Sequence, residues 1–357
     1  MPEATATTTT ASVEPTEAPT EPATPTLAPT EVVTTEPTAT PTATPEPAQP
    51  TWTQLSPGGE LPSPRRDHSL AADSAGGTVW LFAGRGAEGD LADLWAYDVA
   101  GNAWSRIEPA GDVPAARFGH NAAFDPNSNR MLVFGGQAGP NFFNDVWAYD
   151  PAANQWSLLA DGAGPEPRYG AAGALDAGTG VFYVSHGFTN SGRFDDTWGF
   201  VVEGSSWLDD SPPEGPRPEA RCLVRMASDT VRQRLLFFGG QSNTEGFKGD
   251  FWQFDIAALS WQELDIERPS PRNLYSFVSR LNVPGLVLFG GNSPNGVLND
   301  LWTFDLEGNA WQPVAVEGTL PPARDSHDAA WLPGGQGMLV FGGRGGDLLN
   351  DLWLLTL

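Results

Sequence analysis

Six arginines recur along this chain at intervals of 52, 51, 53, 51 and 52 residues: Arg65, Arg117, Arg168, Arg221, Arg272 and Arg324. Each is followed 27 to 29 residues later by an aspartate: Asp93, Asp145, Asp196, Asp250, Asp300 and Asp351. A guanidinium is a planar fork that matches a carboxylate, so two uses compete. Six uncommitted arginines would hold ligand carboxylates or sugar acids. Six arginines tied to six aspartates would be ion pairs repeated once per unit. Because the two residue types move in step, the structural use is the expectation. Three histidines share a further repeat position, three residues after the arginine: His68, His120 and His327, where the other units carry Ala171, Val224 and Tyr275. Three imidazoles are a transition-metal donor set in principle. Ligand bonds of about 2.1 Å demand a closer approach than separate strand starts allow. Hydrogen-bonded packing is therefore expected of them, and neither a metal nor any other cofactor.

Other chemistry is thinly represented. Cys222 is the single cysteine, which excludes an internal disulfide and a CxxC zinc pattern, and a small buried hydrophobe is its expected role. GxSxG and HExxH are absent. Asp125-x-Asn127-x-Asn129 lacks the glycine and distal glutamate of a calcium loop and reads as a strand–strand turn. No catalytic residue is assigned.

The elements that carry these residues repeat as well. A glycine closes an apolar run at Gly84, Gly136, Gly187, Gly240, Gly291 and Gly343. A tryptophan follows each at Trp95, Trp147, Trp198, Trp252, Trp302 and Trp353, and a second comes nine residues later in five units, at Trp104, Trp156, Trp207, Trp261 and Trp311. The sixth unit ends at Leu357 before its second tryptophan, and Thr51-Trp52-Thr53-Gln54-Leu55 has the form of that missing strand. Within unit two, Gly119 to Phe124, Met131 to Phe134, Asp145 to Asp150 and Trp156 to Leu159 read as four strands, with Gly135-Gly136 as the exit from the second. A run such as Met131-Leu132-Val133-Phe134 is expected of a strand buried on both faces.

Phe134-Gly135-Gly136, then Trp147-Ala148-Tyr149-Asp150, then Trp156 resembles the kelch repeat, and Phe-Gly-Gly recurs at Phe238, Phe289 and Phe341. The resemblance covers residues 51–357. It implies an all-β, six-bladed kelch-type propeller with four antiparallel strands per blade, closed by the N-terminal strand. The blades span 67–107, 119–159, 170–210, 222–264, 273–314, and 325–357 with 51–55. Closure removes the unpaired edges an open ring would leave. Unit one departs at Ala83. Unit three departs further, with Ser185-His186-Gly187 for Phe-Gly-Gly and Trp198-Gly199-Phe200-Val201 for Trp-x-Tyr-Asp.

The segments between second and third strands vary most: 85–92, 137–144, 188–195, 241–249, 292–299 and 344–350. They are the expected recognition surface, with Arg85, Gln137, Phe142, Arg193, Lys248, Asn292 and Arg344 as candidate ligand-binding residues. Phe143, Phe194 and Phe247 are expected to pack beneath their own loops. Such a surface fits a non-enzymatic scaffold for a protein or glycan. The resemblance also admits a carbohydrate-active enzyme: similar bacterial propellers include galactose oxidase and a sialic-acid epimerase. The oxidase needs a copper site and a Cys–Tyr cross-link, for which Cys222 is poorly placed. The epimerase-like alternative would draw on Arg85, His68, His120, His327 and Arg344 at the channel mouth.

Charge narrows the partners. The net charge is −25, of which residues 1–50 supply −7, leaving about −18 on the rest. Nucleic acid, which needs a basic surface, is not an expected partner, and neither is an anionic membrane. No run approaches the ~20 apolar residues of a membrane span, and a monomer is expected. Residues 1–50 hold 16 Thr, 11 Pro and 7 Glu without Lys or Arg, a composition read as a disordered stalk. That stalk points to a secreted or cell-surface protein although no leader is visible, with a cytoplasmic setting as the alternative.

Overall fold

The computed structural model describes residues 49–280 and 283–357. The expected stalk, apart from its last two residues, lies outside them. The unit from Ala48 to Leu357 is a six-bladed β-propeller. Blade one is built from Ser69–Ala72, Thr78–Arg85, Asp90–Asp98 and Ala103–Ile107, and the other five repeat this antiparallel order. The innermost strands pack on one another in closed cyclic order, blade six against blade one included.

The final seam is closed as the sequence implies. Thr51–Leu55 pairs antiparallel with Leu348–Thr356, setting Trp52 opposite Leu355 and Gln54 opposite Trp353. Trp52 thereby becomes the second tryptophan of blade six. Its ring lies 4.9 Å from Phe289 of blade five. The same contact joins Trp104 to Phe341, Trp156 to Phe82, Trp207 to Phe134 and Trp311 to Phe238. Five of the six second tryptophans thus pack on the phenylalanine that opens the preceding blade's Phe-Gly-Gly, or Phe-Ala-Gly in blade one. The core is accordingly six apolar wedges, one per interface, which is why the second strands are apolar on both faces.

Blade three's departure has a packing reason. Ser185 stands where the phenylalanine should be, and His186 fills the gap. The His186 ring lies 4.5 Å from Phe237 and 6.2 Å from Trp261 of blade four, and its Nδ1 is 2.7 Å from the Ser185 hydroxyl.

The paired glycines do not let the chain leave its strand in blades one, two, five and six. The second strand runs on through them, as in Arg130–Ala138 paired with Asn141–Asp150, and the register shifts between Phe134 and Gly136. They form a bulge with a left-handed residue, not an exit. Much of each presumed recognition loop is therefore a β-hairpin. In blades three and four the chain does break off: Phe188–Thr189 pairs with Gly192–Arg193 in blade three, and a bridge between Gln241 and Phe247 stands in blade four.

Candidate functional site

Each repeat arginine is fully buried and has at least four acceptors. In blade two, Arg117 grips Asp145 with both terminal nitrogens, at 2.7 and 2.8 Å, and its Nη1 also donates to the Gly135 carbonyl at 3.0 Å. Its Nε donates to the Ala115 carbonyl, two residues back. Trp147 completes the unit by donating its indole N–H to Asp145. The other five blades repeat the arrangement, with Arg–Asp distances of 2.5–2.8 Å. Burial works against the charge of Asp93, Asp196, Asp250 and Asp351. The hydrogen bonds and charge of each paired arginine outweigh it and hold these carboxyls below their ordinary range. These arginines clamp the bulge to the third strand and present no donor to a ligand.

Two residues after each arginine the backbone turns left-handed, at Asp67, Gly119, Gly170, Leu223, Leu274 and Ser326, with φ between 53° and 62°. The turn directs each N–H to the carbonyl of the equivalent residue in a neighbouring blade. Six such bonds, 2.7–3.3 Å long, form a closed circuit about the propeller axis. Tyr169 packs against this circuit: a Cβ on Gly119 would lie 2.0 Å from its ring. The channel is thus constricted at the loop face, where a cavity of only about 20 Å³ remains.

The three histidines sit just beneath, fully buried. His120 Nε2 bonds the Ser69 hydroxyl of the neighbouring blade at 2.8 Å, and His327 Nε2 bonds the Ser276 hydroxyl at 3.2 Å. Neither ring nitrogen of His68 has a partner among the described residues. Burial, then the charge of the adjacent repeat arginine, holds all three well below the ordinary histidine range, so they are neutral. No cluster of three or more His, Cys, Asp or Glu among the described residues has metal-binding geometry.

On the loop face, the residue after each repeat arginine forms a β-bridge with the residue after the second glycine. The pairs are Arg66 with Arg85, Phe118 with Gln137, Tyr169 with Phe188, Cys222 with Gln241, Asn273 with Asn292, and Asp325 with Arg344. Four candidate residues, Arg85, Gln137, Asn292 and Arg344, therefore occupy equivalent places in one ring. Phe188 and Gln241 hold the other two places and escaped sequence reasoning, although the repeat spacing identifies them.

The charged candidates have partners. Arg85 pairs with Asp90 at 2.9 Å and stacks on Phe118 at 4.4 Å, and Arg344 pairs with Asp325 at 3.1 Å. Lys248 lies between Glu245 and Glu219, at 2.6 and 3.1 Å. Arg193 donates to the buried Cys222 sulfur at 3.3 Å and lies over Phe188, which meets Phe142 edge to face. Phe143 and Phe194 lie against the guanidinium groups of Arg117 and Arg168, at 4.4 and 4.1 Å. The result on blades one to three is a surface of arginine and aromatic groups around Arg85, Phe142, Phe188 and Arg193.

The opposite end of the channel is open. A pocket of about 780 Å³ runs up the axis from the turns between first and second strands, lined by all six innermost strands. It is blind because the backbone circuit closes the far end. Arg225 and Asp328 lie at its floor.

A family model, the KLHDC2/KLHL20/DRC7 Kelch-repeats domain, matches residues 45–222 and 208–357. The chain belongs to the kelch-repeat family. Among curated proteins it is similar to host cell factor 1 of Rattus norvegicus, Mus musculus and Homo sapiens, at 26% identity over 273 residues. The match takes in 69% of this chain but only 13% of each of those proteins.

Sequence reasoning about this kelch propeller missed the floor of the pocket. Arg225 and Asp328 each follow a repeat arginine by four residues, where the other blades have Ser69, Asn121, Ala172 and Ser276. Alignment of the units would have exposed the position. Nothing in a single unit says that Arg225 and Asp328, from blades four and six, meet in the axial pocket. No helix among the described residues is long and apolar enough to cross a membrane.

Proposed function

We propose that this kelch propeller is a non-enzymatic interaction scaffold that engages a protein partner through its loop face. The observation that carries the reading is the commitment of all six repeat arginines to their aspartates beneath a closed backbone circuit. An epimerase-like site would need uncommitted arginines around a deep opening at that face. What the face offers instead is a patch of arginine and aromatic side chains, the residue types that anchor protein interfaces. The ring of bridged pairs holds that patch rigid before binding, which limits the entropy lost on association. The Thr- and Pro-rich composition of residues 1–50 supports a secreted or cell-surface setting within the same reading.

The test is affinity capture with the full chain and with a Phe142→Ala/Arg193→Ala variant, followed by identification of the bound proteins. The expected result is a defined partner, lost at least tenfold with the variant while its melting temperature stays within a few degrees. Undiminished capture by the variant overturns the choice of face. A specific hit on a glycan array, with no protein captured, replaces the partner class by a glycan.

A further inference from the structure

We propose that the axial pocket binds a small zwitterion, a free α-amino acid with an apolar side chain, its carboxylate on Arg225 and its ammonium on Asp328. The pocket opens at the end of the propeller opposite the loop face, its floor lies beneath the backbone circuit, and the proposal is independent of the scaffold reading. Its floor is drawn from a layer of the inner strands in which the six units share no common residue. Where the scaffold needs the same group six times it has it: six arginines, six aspartates, six left-handed turns. Four residues after each arginine the blades carry instead Ser69, Asn121, Ala172, Arg225, Ser276 and Asp328. Of these, one cation, one anion and two hydrogen-bonding groups (Arg225, Asp328, Ser69 and Asn121) line a pocket of about 780 Å³.

Arg225 and Asp328 face one another without being consumed by each other. Their closest approach is 3.8 Å, beyond hydrogen-bonding distance. Arg225 is held by its Nε, which donates to the Tyr275 carbonyl at 3.3 Å. That leaves Nη1 and Nη2 without a hydrogen bond among the described residues, a fork suited to a carboxylate. Asp328 is anchored by one oxygen, Oδ2, which accepts the Leu70 N–H at 2.8 Å. The other oxygen faces Arg225. The neighbouring hydroxyls of Ser69 and Ser276 are fixed by His120 and His327, so the floor is ordered before any ligand arrives.

Charge selects the class. The propeller carries about −18, a field that repels an anion approaching from solution. A zwitterion has no net charge and so is not repelled, and it satisfies both members of an opposed pair at once. Above the floor, Phe124, Phe277 and Trp331 line the pocket, which gives the ligand's side chain an apolar wall.

The test is calorimetric titration of the full chain with L-phenylalanine and L-leucine, beside the amine alone (phenethylamine) and the acid alone (3-phenylpropanoate). The amino acids are expected to bind and to raise the melting temperature, with each half-molecule at least tenfold weaker. Arg225→Gln should lose the amino acid by tenfold or more. Asp328→Asn should narrow the gap between L-phenylalanine and 3-phenylpropanoate. The loop-face variant Phe142→Ala/Arg193→Ala should bind like the parent. Silence toward both amino acids, or binding of the acid alone as tight as the amino acid, overturns the proposal. Should either pocket variant fail to fold, the comparison of the three probes on the unaltered chain decides by itself.

Discussion

The repeat arginine and the buried histidine show how one position within a unit is given its chemistry. Arg117 is confined by four acceptors that a single fold position brings within reach, and removing such a partner would leave a carboxylate and a bulge carbonyl without their donor. Histidine carries a different consequence. Burial holds His68, His120 and His327 well below the ordinary value of 6.5, and moves His186 to about 3. A group whose folded value is depressed in this way is neutral in the fold and takes up a proton on unfolding once the pH drops below about 6.5. The unfolded chain then binds more protons, so stability is complete above 6.5 and is lost as the pH falls below it. The slope approaches about 1.4 kcal/mol per pH unit for each such histidine. Asp67, Asp210 and Asp328, raised chiefly by burial, act in the opposite sense nearer to their own range. The histidine effect is therefore clearest just below 6.5. The melting temperature should drop by several degrees between pH 7.5 and 5.5, and an unchanged or higher value at pH 5.5 would contradict the burial of neutral imidazoles.

Within one blade, the paired glycines separate two demands that the sequence presents as one motif. The first position is left-handed in every blade, yet Ala83 and His186 occupy it, at φ 56° and 62°. A side chain there costs about 1–2 kcal/mol in backbone energy, and on Gly135 a Cβ would stand 3.1 Å from the Arg168 carbonyl and 3.3 Å from the Phe143 carbonyl, a fit that Ala83 and His186 achieve in their own blades. The second position is glycine in all six blades and, in blade two, is tighter still. A Cβ on Gly136 would stand 3.0 Å from both His120 Cβ and the Phe118 carbonyl, at φ 98°. Its N–H also bonds the Arg168 carbonyl of the next blade, so a shift at this point disturbs the seam between blades. Gly136→Ala is expected to cost appreciably more than Gly135→Ala, about 3 kcal/mol against about 1. Equal costs in urea unfolding would show that the bulge, and not the contact, sets the requirement. The motif was legible as glycine-rich punctuation. That it is a bulge inside a continuing hairpin was not, because the pairing that reveals it involves residues on the far side of the turn.

The whole molecule is a ring of six repeated interfaces, one of which is completed by residues from both ends of the chain. Trp52 and its strand complete the wedge between blades five and six, where Phe289, Trp331 and Trp353 are buried. Removal of residues 1–55 would strip the outer strand from blade six, uncover Leu348–Thr356 along one edge and open the aromatic contact with Phe289. Removal of residues 1–48 alone leaves the ring intact. The shorter truncation should melt as the full chain does. The longer one should lose at least 10 °C in melting temperature and tend to associate through its exposed strand edge. Matching melting curves for the two would mean that closure does not support the fold.

Period, strand type and closure were all carried by the sequence itself, because each unit meets the same packing problem and solves it with the same residues in the same places. Arg117, Gly136, Trp147 and Trp156 can be read from one blade and copied to the others. The tertiary structure decided what lies on the axis. The circuit of six backbone hydrogen bonds at the loop face takes one residue from each blade, and the pocket floor beneath it brings Arg225 and Asp328 together from two blades. No local pattern encodes such a meeting. It follows from the angle between neighbouring blades, which exists only once all six interfaces have formed.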